Sequence, residues 1–397
     1  MVMVKDLTQL TLKDLWKEVK DEDEWWGDIS EHTLRMVKAI LESSLEEELM
    51  EFLRAGRYQR TEVRKGWRNG SYEKSLYTRF GVIKDLRVPR ARESYPSQII
   101  PRYQRRRNEV DEMVRDMFLA GVSTRRVGEI LVKIKGEAIS AQTVSRIAKS
   151  LDTEVHLFHN RPLLDEYRYL FFDGICLKVK GDAGVHKKMV LCAYGITVTG
   201  RKRLISFRQG SDESEAKWEA FLRDLYERGL EGKHCRLIST DGCAGLHRAL
   251  ETVYPYIPRQ RCWAHKLRNV ANKLRRVDRQ GCIAGARLIY QARHRKEAAL
   301  TFKDWKSRWQ ACYPNAVACI EKDLDELLNF FEVPAEHRIK VRTTNVIERA
   351  FREVRRRTRP MSCFTNSKSV DRIIFGVISH LNETWKDKPI FNFTQNT

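Results

Sequence analysis

The spacing of apolar residues predicts helices in the first part of the chain. Between residues 34 and 53 apolar side chains recur every three or four positions, which is typical of a helix with one buried face. Three shorter runs of the same period follow between residues 109 and 151, separated by Gly121 and Gly136. Ser123 or Thr124 is expected to cap the second helix, and Ser140 the third. This is the outline of a helix-turn-helix unit, although it also fits a plain three-helix packing module.

Between residues 60 and 90 the apolar period changes from helical to alternating. The dipeptide Asn69-Gly70 favours a tight turn, so we expect a β-hairpin that turns there and a following strand that ends at Pro89. Arginine and lysine are dense in this segment, with aromatic residues between them. Such a surface suits contact with phosphate groups, but basic edges also simply deter strand pairing.

The second half of the chain predicts strands and helices in alternation. Strand-like runs at Tyr169–Val179, Lys188–Val198 and Leu204–Arg208 follow one another through short connections. A helix, a short apolar strand that ends at Thr240 and another helix come next, and from Trp263 to about Phe331 the pattern predicts helices alone. These elements imply a mixed α/β sheet with helices packed on it, interrupted by an all-α insertion.

An acidic residue interrupts the first of these strands. Asp173 lies within the apolar run YLFFDGICLKV, and an ionised carboxylate taken out of water costs several kcal/mol unless a cation or hydrogen-bond donors meet it. Asp173 is therefore either a strand-end residue that accepts backbone N–H groups, or a residue with a charged partner or a metal. Asp241 also follows a strand and precedes a glycine, so neighbouring strands would bring both carboxylates together. Such oxygen ligands suit Mg²⁺ or Mn²⁺.

A third acid, Glu348, lies on a predicted helix rich in arginine. On this helix Ile347, Phe351 and Val354 form the apolar stripe, and Glu348 shares another face with arginines. This placement fits a metal ligand beside bound phosphate. The alternative is a capping box, in which Asn345 caps the helix and Glu348 reaches back to the cap's backbone.

The charge of the chain indicates a polyanionic partner. Its 397 residues carry 74 Lys and Arg against 53 Asp and Glu, a net charge of +21, and nucleic acid is the commonest partner of so basic a protein. The sequence contains no pattern typical of a signal peptide or a membrane span, so we expect a cytosolic protein without membrane contact. The nine cysteines include no Cys-x-x-Cys pair, and we expect reduced thiols.

The chain resembles the Mutator-type transposases of bacterial insertion sequences. The resemblance runs in family order from about Arg60 to about Ser379, and ISTDGCAGL, RQRCWAHKLRN and TTNVIER are its most specific segments. It implies an α/β RNase H-like catalytic core of the DDE class, in which Asp173, Asp241 and Glu348 are catalytic and hold two Mg²⁺ or Mn²⁺ ions.

The resemblance also lets Cys262 and His265 be interpreted as the Cys-x-x-His signature that such transposases place after the second aspartate. A single pair of this kind is half a zinc site, and the sequence contains no second pair at matching spacing. We therefore expect Cys262 to pack and His265 to donate a hydrogen bond near the active site, rather than to bind metal.

The implied function is that of a transposase that binds terminal inverted repeats of double-stranded DNA, cleaves strands and transfers them to target DNA. We expect a homodimer, because two element ends must be held, in the cytoplasm of a bacterium and associated with the nucleoid. Two alternatives remain open. One is a non-catalytic repressor, derived from a transposase, that uses residues 60–151 alone, and the other is an RNase H-like nuclease without strand transfer.

We expect four parts along the chain. Residues 1–59 are a helical part assigned to dimerisation, 60–107 a basic β-hairpin region, 108–160 a helix-turn-helix-like DNA-binding domain, and 161–397 the catalytic domain, with the helical insertion at about 263–340. Three tryptophans, Trp263, Trp305 and Trp309, either stack on a distorted base or belong to the core. The candidate DNA contacts are polar or basic residues of the third and fourth parts of this scheme, including the insertion: Arg125, Arg126, Gln142, Thr143, Arg146, Arg259, Arg261, Lys266, Arg268, Arg349, Arg352, Arg355 and Arg356.

Overall fold

The computed structural model describes residues 22–101, 104–120, 122–135, 139–181, 184–359, 364 and 366–390. The protein is mixed α/β, with a helical N-terminal region, a β-hairpin and a larger mixed sheet. It divides into two compact units. Of the described residues, those up to 118 and those within 123–148 form the N-terminal unit, and those within 119–122 and from 149 onward form the C-terminal unit.

In the N-terminal unit a long helix packs against the β-hairpin. Helix α1 (Glu22–Leu53) lies against strand β2 (Gly81–Ala91), which pairs with β1 (Arg68–Thr78), and one apolar core joins them through Leu45 and Leu86. The helices that follow are α2 (Asn108–Leu119), α3 (Thr124–Lys135) and α4 (Ala141–Lys149).

Two of the predicted caps are present in these helices. The Ser123 Oγ accepts a hydrogen bond from the backbone N–H of Arg126 at 3.3 Å, and the Ser140 Oγ accepts one from the N–H of Thr143 at 3.2 Å. A serine in this position satisfies one of the N–H groups that a helix start leaves without an intrahelical partner. The predicted breaks at Gly121 and Gly136 lie outside the described residues.

The hairpin does not turn at Asn69-Gly70 as the sequence predicted. Thr78 pairs with Gly81, so the turn is formed by the two residues between them. Asn69 and Gly70 lie inside β1, where the register shifts by one residue, and the positive φ of Gly70, 69°, belongs to a bulge. The dipeptide therefore adopts the left-handed backbone that it favours, but in a bulge and not in a turn.

Pro89 does not end the second strand either, which continues to Ala91. Pro89 pairs with Ser71 in the two-stranded sheet. Each strand of such a sheet has one free edge, where a residue without an N–H group loses no ladder hydrogen bond. The prediction of a strand end was wrong for this reason.

The C-terminal unit is built on a mixed sheet with the strand order β5-β4-β3-β6-β7. Strands β3 (Tyr167–Gly181), β4 (Gly184–Thr197) and β5 (Lys202–Gly210) are antiparallel, whereas β6 (Leu237–Thr240) and β7 (Arg259–Arg261) continue the sheet parallel to β3. The sequence predicted the first four of these strands. It missed β7, because three residues of sequence RQR carry no apolar alternation.

Helices cover both faces of this sheet. On one face α6 (Glu215–Glu227) and α7 (Ala244–Val253) share a core with Phe172. Neighbouring residues of a strand point to opposite faces, and the Tyr169 hydroxyl on the other face lies 2.7 Å from the Nδ1 of His337. Helix α15 (Ser367–Trp385) packs on β5 and on α5 (Leu151–Asn160), a helix that the sequence analysis did not predict.

Between β7 and the helix that carries Glu348 the chain is helical, as predicted. The elements are α8 (Trp263–Ala271), α9 (Arg279–Gln291), α10 (Arg295–Trp309), α11 (Pro314–Glu321), α12 (Leu324–Leu328), a 3₁₀ helix (Asn329–Glu332) and α13 (Ala335–Val341), and they precede α14 (Asn345–Thr358).

Two of the three tryptophans of this region belong to the core. Trp263 and Trp305 are buried, and their indole N–H groups donate to the carbonyl oxygens of Leu327 at 2.7 Å and Cys282 at 2.9 Å. Rings held in this way do not stack on a base, whereas Trp309 is half-buried. Every cysteine that the structure describes is a free thiol, as expected. No helix within the described ranges has the length and apolar character needed to cross a membrane.

Candidate active site

Asp173 and Asp241 come together where β3 and β6 run side by side. Phe172 pairs with Thr240, the last residue of β6, and each of these two residues is followed directly by one of the aspartates. Because the two strands are parallel, both chains arrive at this point in the same direction. The sequence predicted this proximity from the strand signals alone.

Asp173 is a buried carboxylate beside a second negative charge. The residue is 7% exposed, and the hydrogen-bond donor that its side chain meets among the described residues is the N–H of Gly174, at 2.8 Å from Oδ1. Burial, and then the charge of Asp241, raise the pKa of Asp173 to about 7. The backbone therefore donates a hydrogen bond to one of the two carboxylate oxygens of Asp173. Hydrogen bonds from backbone N–H groups alone do not account for the burial of this carboxylate. The Oδ1 of Asp241 accepts a hydrogen bond from the N–H of Cys243 at 2.9 Å.

Helix α14 carries Glu348 to the same region. Ile347, Phe351 and Val354 are buried as predicted, which directs Glu348 away from the apolar stripe. The N-cap residue is Thr344 and no side chain caps the helix, so the capping box is absent. The Oε1 of Glu348 lies instead 3.4 Å from the Nε2 of His265. The charge of Glu348 also contributes to the raised pKa of Asp173, which puts the third acid within electrostatic reach of the first.

Cys262 and His265 connect the start of α8 to the start of α14 through hydrogen bonds and a contact with Glu348. The buried Cys262 Sγ accepts hydrogen bonds from the N–H and the hydroxyl of Thr344, at 3.2 and 3.3 Å. Burial alone would raise the pKa of the Cys262 thiol, but hydrogen bonds from His265 and Thr344 lower it, and the bond to Cys262 raises the pKa of His265. Cys262 thus packs in the interior and His265 hydrogen-bonds to it, while their role as a signature of the active site stays a prediction.

The donor set fits a hard divalent cation in kind. Three carboxylates offer oxygen ligands, and a cation beside Asp173 would relieve the electrostatic cost of its burial. Among the residues that the structure describes, however, no group of three or more His, Cys, Asp or Glu side chains is arranged to hold a metal ion. Glu348 is turned toward His265 in this conformation. The predicted pair of Mg²⁺ or Mn²⁺ ions therefore remains a prediction.

Most of the candidate DNA contacts lie at the surface. Within the N-terminal unit, Thr143 is half-buried beside the Ser140 cap, and Arg126 pairs with Glu129 at 2.7 Å. The residues with exposed side chains are Arg125, Arg126, Gln142, Arg146, Arg268, Arg349, Arg352, Arg355 and Arg356.

Three basic residues near Cys262 are engaged inside the protein. The buried Lys266 forms an ion pair with Asp323 and donates to the carbonyl of Cys319 at 3.1 Å. Arg261 pairs with Glu326 at 2.6 Å, and Arg259 lies 3.3 Å from the carboxylate of Glu251. The placement of Lys266 contradicts its interpretation as a phosphate contact, because its ammonium group is already satisfied in the interior.

The sequence analysis missed one acid at this site. Glu213, just before α6, brings its carboxylate against Gly174, the residue after Asp173. A signal was present in the acidic run DESE at the start of the helix. That run looks like an ordinary solvated helix start, so only its position in the fold distinguishes it.

Comparison with known proteins places this geometry in a family context. The family model described as Transposase, Mutator family, matches residues 8–388. The transposase for insertion sequence element ISRM5 of Rhizobium meliloti (strain 1021) is 33% identical over 353 residues, which cover 89% of this chain and 88% of that protein. The transposase for IS406 of Burkholderia multivorans is 36% identical over 345 residues, 86% of this chain and 88% of that protein. The transposase for IS256 in transposon Tn4001 of Staphylococcus aureus is 31% identical over 366 residues, 90% and 91% of the two chains.

Proposed function

Because the chain belongs to the Mutator family of transposases, we propose that it binds the terminal inverted repeats of an insertion sequence, cleaves DNA strands there and transfers them to target DNA. Transposases act on DNA by cutting and joining it, and the finer proposal concerns how this chain does so. The main support for this proposal is that Asp173 and Asp241 lie at the same end of two paired strands and that the charge of Glu348 acts on Asp173.

We assign these three acids as the catalytic residues and as the ligands of two Mg²⁺ or Mn²⁺ ions. When bound, the cations supply Lewis-acid stabilisation of the charge that develops during phosphodiester cleavage. The protein holds the three acidic side chains in position. Asp173 is held by β3 and Asp241 by the turn after β6, while Glu348 depends on the contacts that join Thr344 to Cys262.

The reaction needs no protein nucleophile. In the first step water attacks the phosphorus of a phosphodiester and the 3′ oxygen leaves as a free 3′-OH. In the second step this 3′-OH attacks the phosphorus of a phosphodiester in the target strand, and the 3′ oxygen of the target strand leaves, so that one phosphodiester bond breaks as another forms. The exposed arginines of α14 lie on the helix that carries Glu348, where they would contact the phosphates on either side of the cleavage point. Binding should therefore weaken steeply as the salt concentration rises.

For the fold, we propose an RNase H-like core in residues 161–397 with the helical insertion at about 263–340. The antiparallel strands β3 to β5, the parallel strands β6 and β7 and the helical block before α14 support this proposal. We retain residues 1–59, 60–107 and 108–160 as three separate parts that precede the core.

We assign the contact with double-stranded DNA partly to the N-terminal unit. A cleft of about 1060 Å³ lies beside its hairpin, and exposed aromatic side chains, Tyr58 and Trp67, border it. Five arginines line the cleft against two glutamates: Arg57, Arg60, Arg64, Arg68 and Arg87 against Glu42 and Glu46. We also propose a homodimer associated with the bacterial nucleoid, and the exposure of Met36 and Ile40 on α1 supports a second copy as the partner of that helix.

A strand-transfer assay tests the proposal. A labelled oligonucleotide from the ends of the element is incubated with the protein, Mg²⁺ and a supercoiled target, and we expect joined product. Asp241→Asn should keep its affinity for the oligonucleotide and lose cleavage and joining. Binding without cleavage by the wild type would favour the repressor, and cleavage without joining would favour the nuclease.

A further inference from the structure

Glu213 brings a fourth carboxylate to the region of Asp173 and Asp241. A Cβ atom built on Gly174 would lie 2.1 Å from the Oε1 of Glu213, so the carboxylate rests directly against the backbone of the residue after Asp173. The charge of Asp241 acts on the half-buried Glu213. This acid therefore faces the site and not the open solvent around α6.

The backbone of Glu213 is hydrogen-bonded to the turn that contains Asp241. Its carbonyl oxygen accepts a hydrogen bond from the Sγ of Cys243 at 3.6 Å. The same oxygen would lie 2.4 Å from a Cβ on Gly245, a distance at which no side chain fits. A glycine at position 245 thus allows the two segments to touch, and the position of Glu213 is set by packing.

The carboxylate of Glu213 has no partner among the described residues, since neither a hydrogen-bond donor nor a basic group meets it there. The next two glutamates along the chain, in contrast, do have basic partners. Glu215 forms an ion pair with Arg248, and Glu219 pairs with Arg223 at 2.6 Å. An acid that is half-buried beside another acid, with no cation from the protein, has an electrostatic cost that an external cation would remove.

Glu213 approaches from the face of the sheet opposite to Glu348. Neighbouring residues of β3 point to opposite faces, so Gly174 shares the face of Phe172, which α6 and α7 cover. Asp173 points to the other face, where it meets the charges of His265 and Glu348. The four acids would thus enclose the end of β6 from both sides.

We propose that Glu213 is a fourth acidic residue of the active site and contributes a ligand to the divalent cations. This inference rests on the proposed function, which requires two such ions. In the absence of DNA, four carboxylates would balance the formal charge of two divalent cations, whereas three would leave one positive charge to be met by the DNA phosphate. A carboxylate from the second face would also offer a ligand on the side of Asp241 that Glu348 does not reach.

Binding of Mn²⁺ to the full-length protein tests this proposal independently of activity. The concentration of free Mn²⁺ is followed by electron paramagnetic resonance during titration of the wild type and three variants. We expect Glu213→Gln to weaken the binding of one of the two ions about tenfold or more. Asp241→Asn should weaken binding at least as much. Glu215→Gln, two residues away on the same segment and paired with Arg248, is the matched control and should bind as the wild type does.

Thermal unfolding provides a second measurement. In EDTA, Glu213→Gln should raise the unfolding temperature because it removes an acid that faces Asp241, and added Mn²⁺ should raise it less than in the wild type. Wild-type stoichiometry and affinity in Glu213→Gln, with Asp241→Asn weakened, would overturn the assignment of Glu213 alone. Absence of Mn²⁺ binding by the wild type would overturn the metal-dependent function as well.

Discussion

Replacement of Asp173 by Asn should stabilise the C-terminal unit of the metal-free protein at neutral and alkaline pH. Asp173 is 7% exposed, lies beside Asp241 and has the N–H of Gly174 as its hydrogen-bond donor. Asparagine has nearly the same shape, keeps an oxygen for that donor and carries no charge. The substitution therefore removes the repulsion and the cost of burying the charge without opening a cavity.

The size of the effect follows from the pKa of Asp173, which burial and Asp241 raise from 3.8 to about 7. Below pH 3.8 the carboxyl is protonated in the folded and the unfolded protein, and it adds no pH dependence to stability. Between pH 3.8 and 7 the unfolded chain loses its proton first, so the free energy of unfolding of the wild type falls as the pH rises; above pH 7 the loss is constant. At about 1.4 kcal/mol per tenfold change in ionisation, the upper limit is about 4 kcal/mol. Solvent screening should reduce the gain to about 2–3 kcal/mol.

Urea unfolding in EDTA, followed by tryptophan fluorescence, measures this effect. The buried Trp218 and Trp263 report on the C-terminal unit. We expect a higher urea midpoint for Asp173→Asn at about pH 8.5 and less than half of that gain at about pH 5. Asp304→Asn, at an exposed position of α10, is the control and should change neither midpoint. Addition of Mn²⁺ should stabilise the wild type and not the variant.

Two results would refute this reasoning. If Asp173→Asn were no more stable than the wild type at about pH 8.5, the ionised carboxylate would carry no penalty in the folded protein. If the gain were equal at both pH values, it would come from packing or hydrogen bonding and not from charge.

Two further predictions concern the surroundings of Cys262. Lys266→Met removes the nearer of the two cations that meet the buried Asp323, the other being Arg261 at 3.5 Å, and it should cost about 3 kcal/mol in urea unfolding with no change in the salt dependence of DNA binding. The exposed Arg268→Met should leave stability unchanged and lower the slope of log K against log salt by about one. Thr344→Val removes the hydroxyl that donates to the Cys262 Sγ, and it should cost about 1 kcal/mol and slow single-turnover cleavage at unchanged DNA affinity. An unchanged cleavage rate would show that this contact does not position the third acid.

Local patterns in the sequence were sufficient to predict most of the secondary structure, and its motifs were sufficient to predict the family. The apolar run around Asp173 predicted β3, and the three- to four-residue period with Ile347 and Phe351 inward predicted α14. Both signals are local, because the side-chain period of a strand or helix is set by its own geometry. The proximity of Asp173 and Asp241 was predictable for a related reason, since each is tied to a strand of the same sheet.

Where two residues or segments have similar local signals, contacts between distant parts of the chain determine their different structures. Asn69-Gly70 favours a turn, but the hairpin takes the register that buries Leu76 and Leu86 against α1, and burial of several apolar side chains outweighs the preference of one dipeptide. Lys266 and Arg268 belong to one basic run. Lys266 is nevertheless buried, because it pairs with Asp323, 57 residues further along the chain, whereas Arg268 is exposed. Burial and charge pairing depend on contacts between distant segments, and for that reason a residue's neighbours in sequence did not distinguish a structural lysine from a surface arginine.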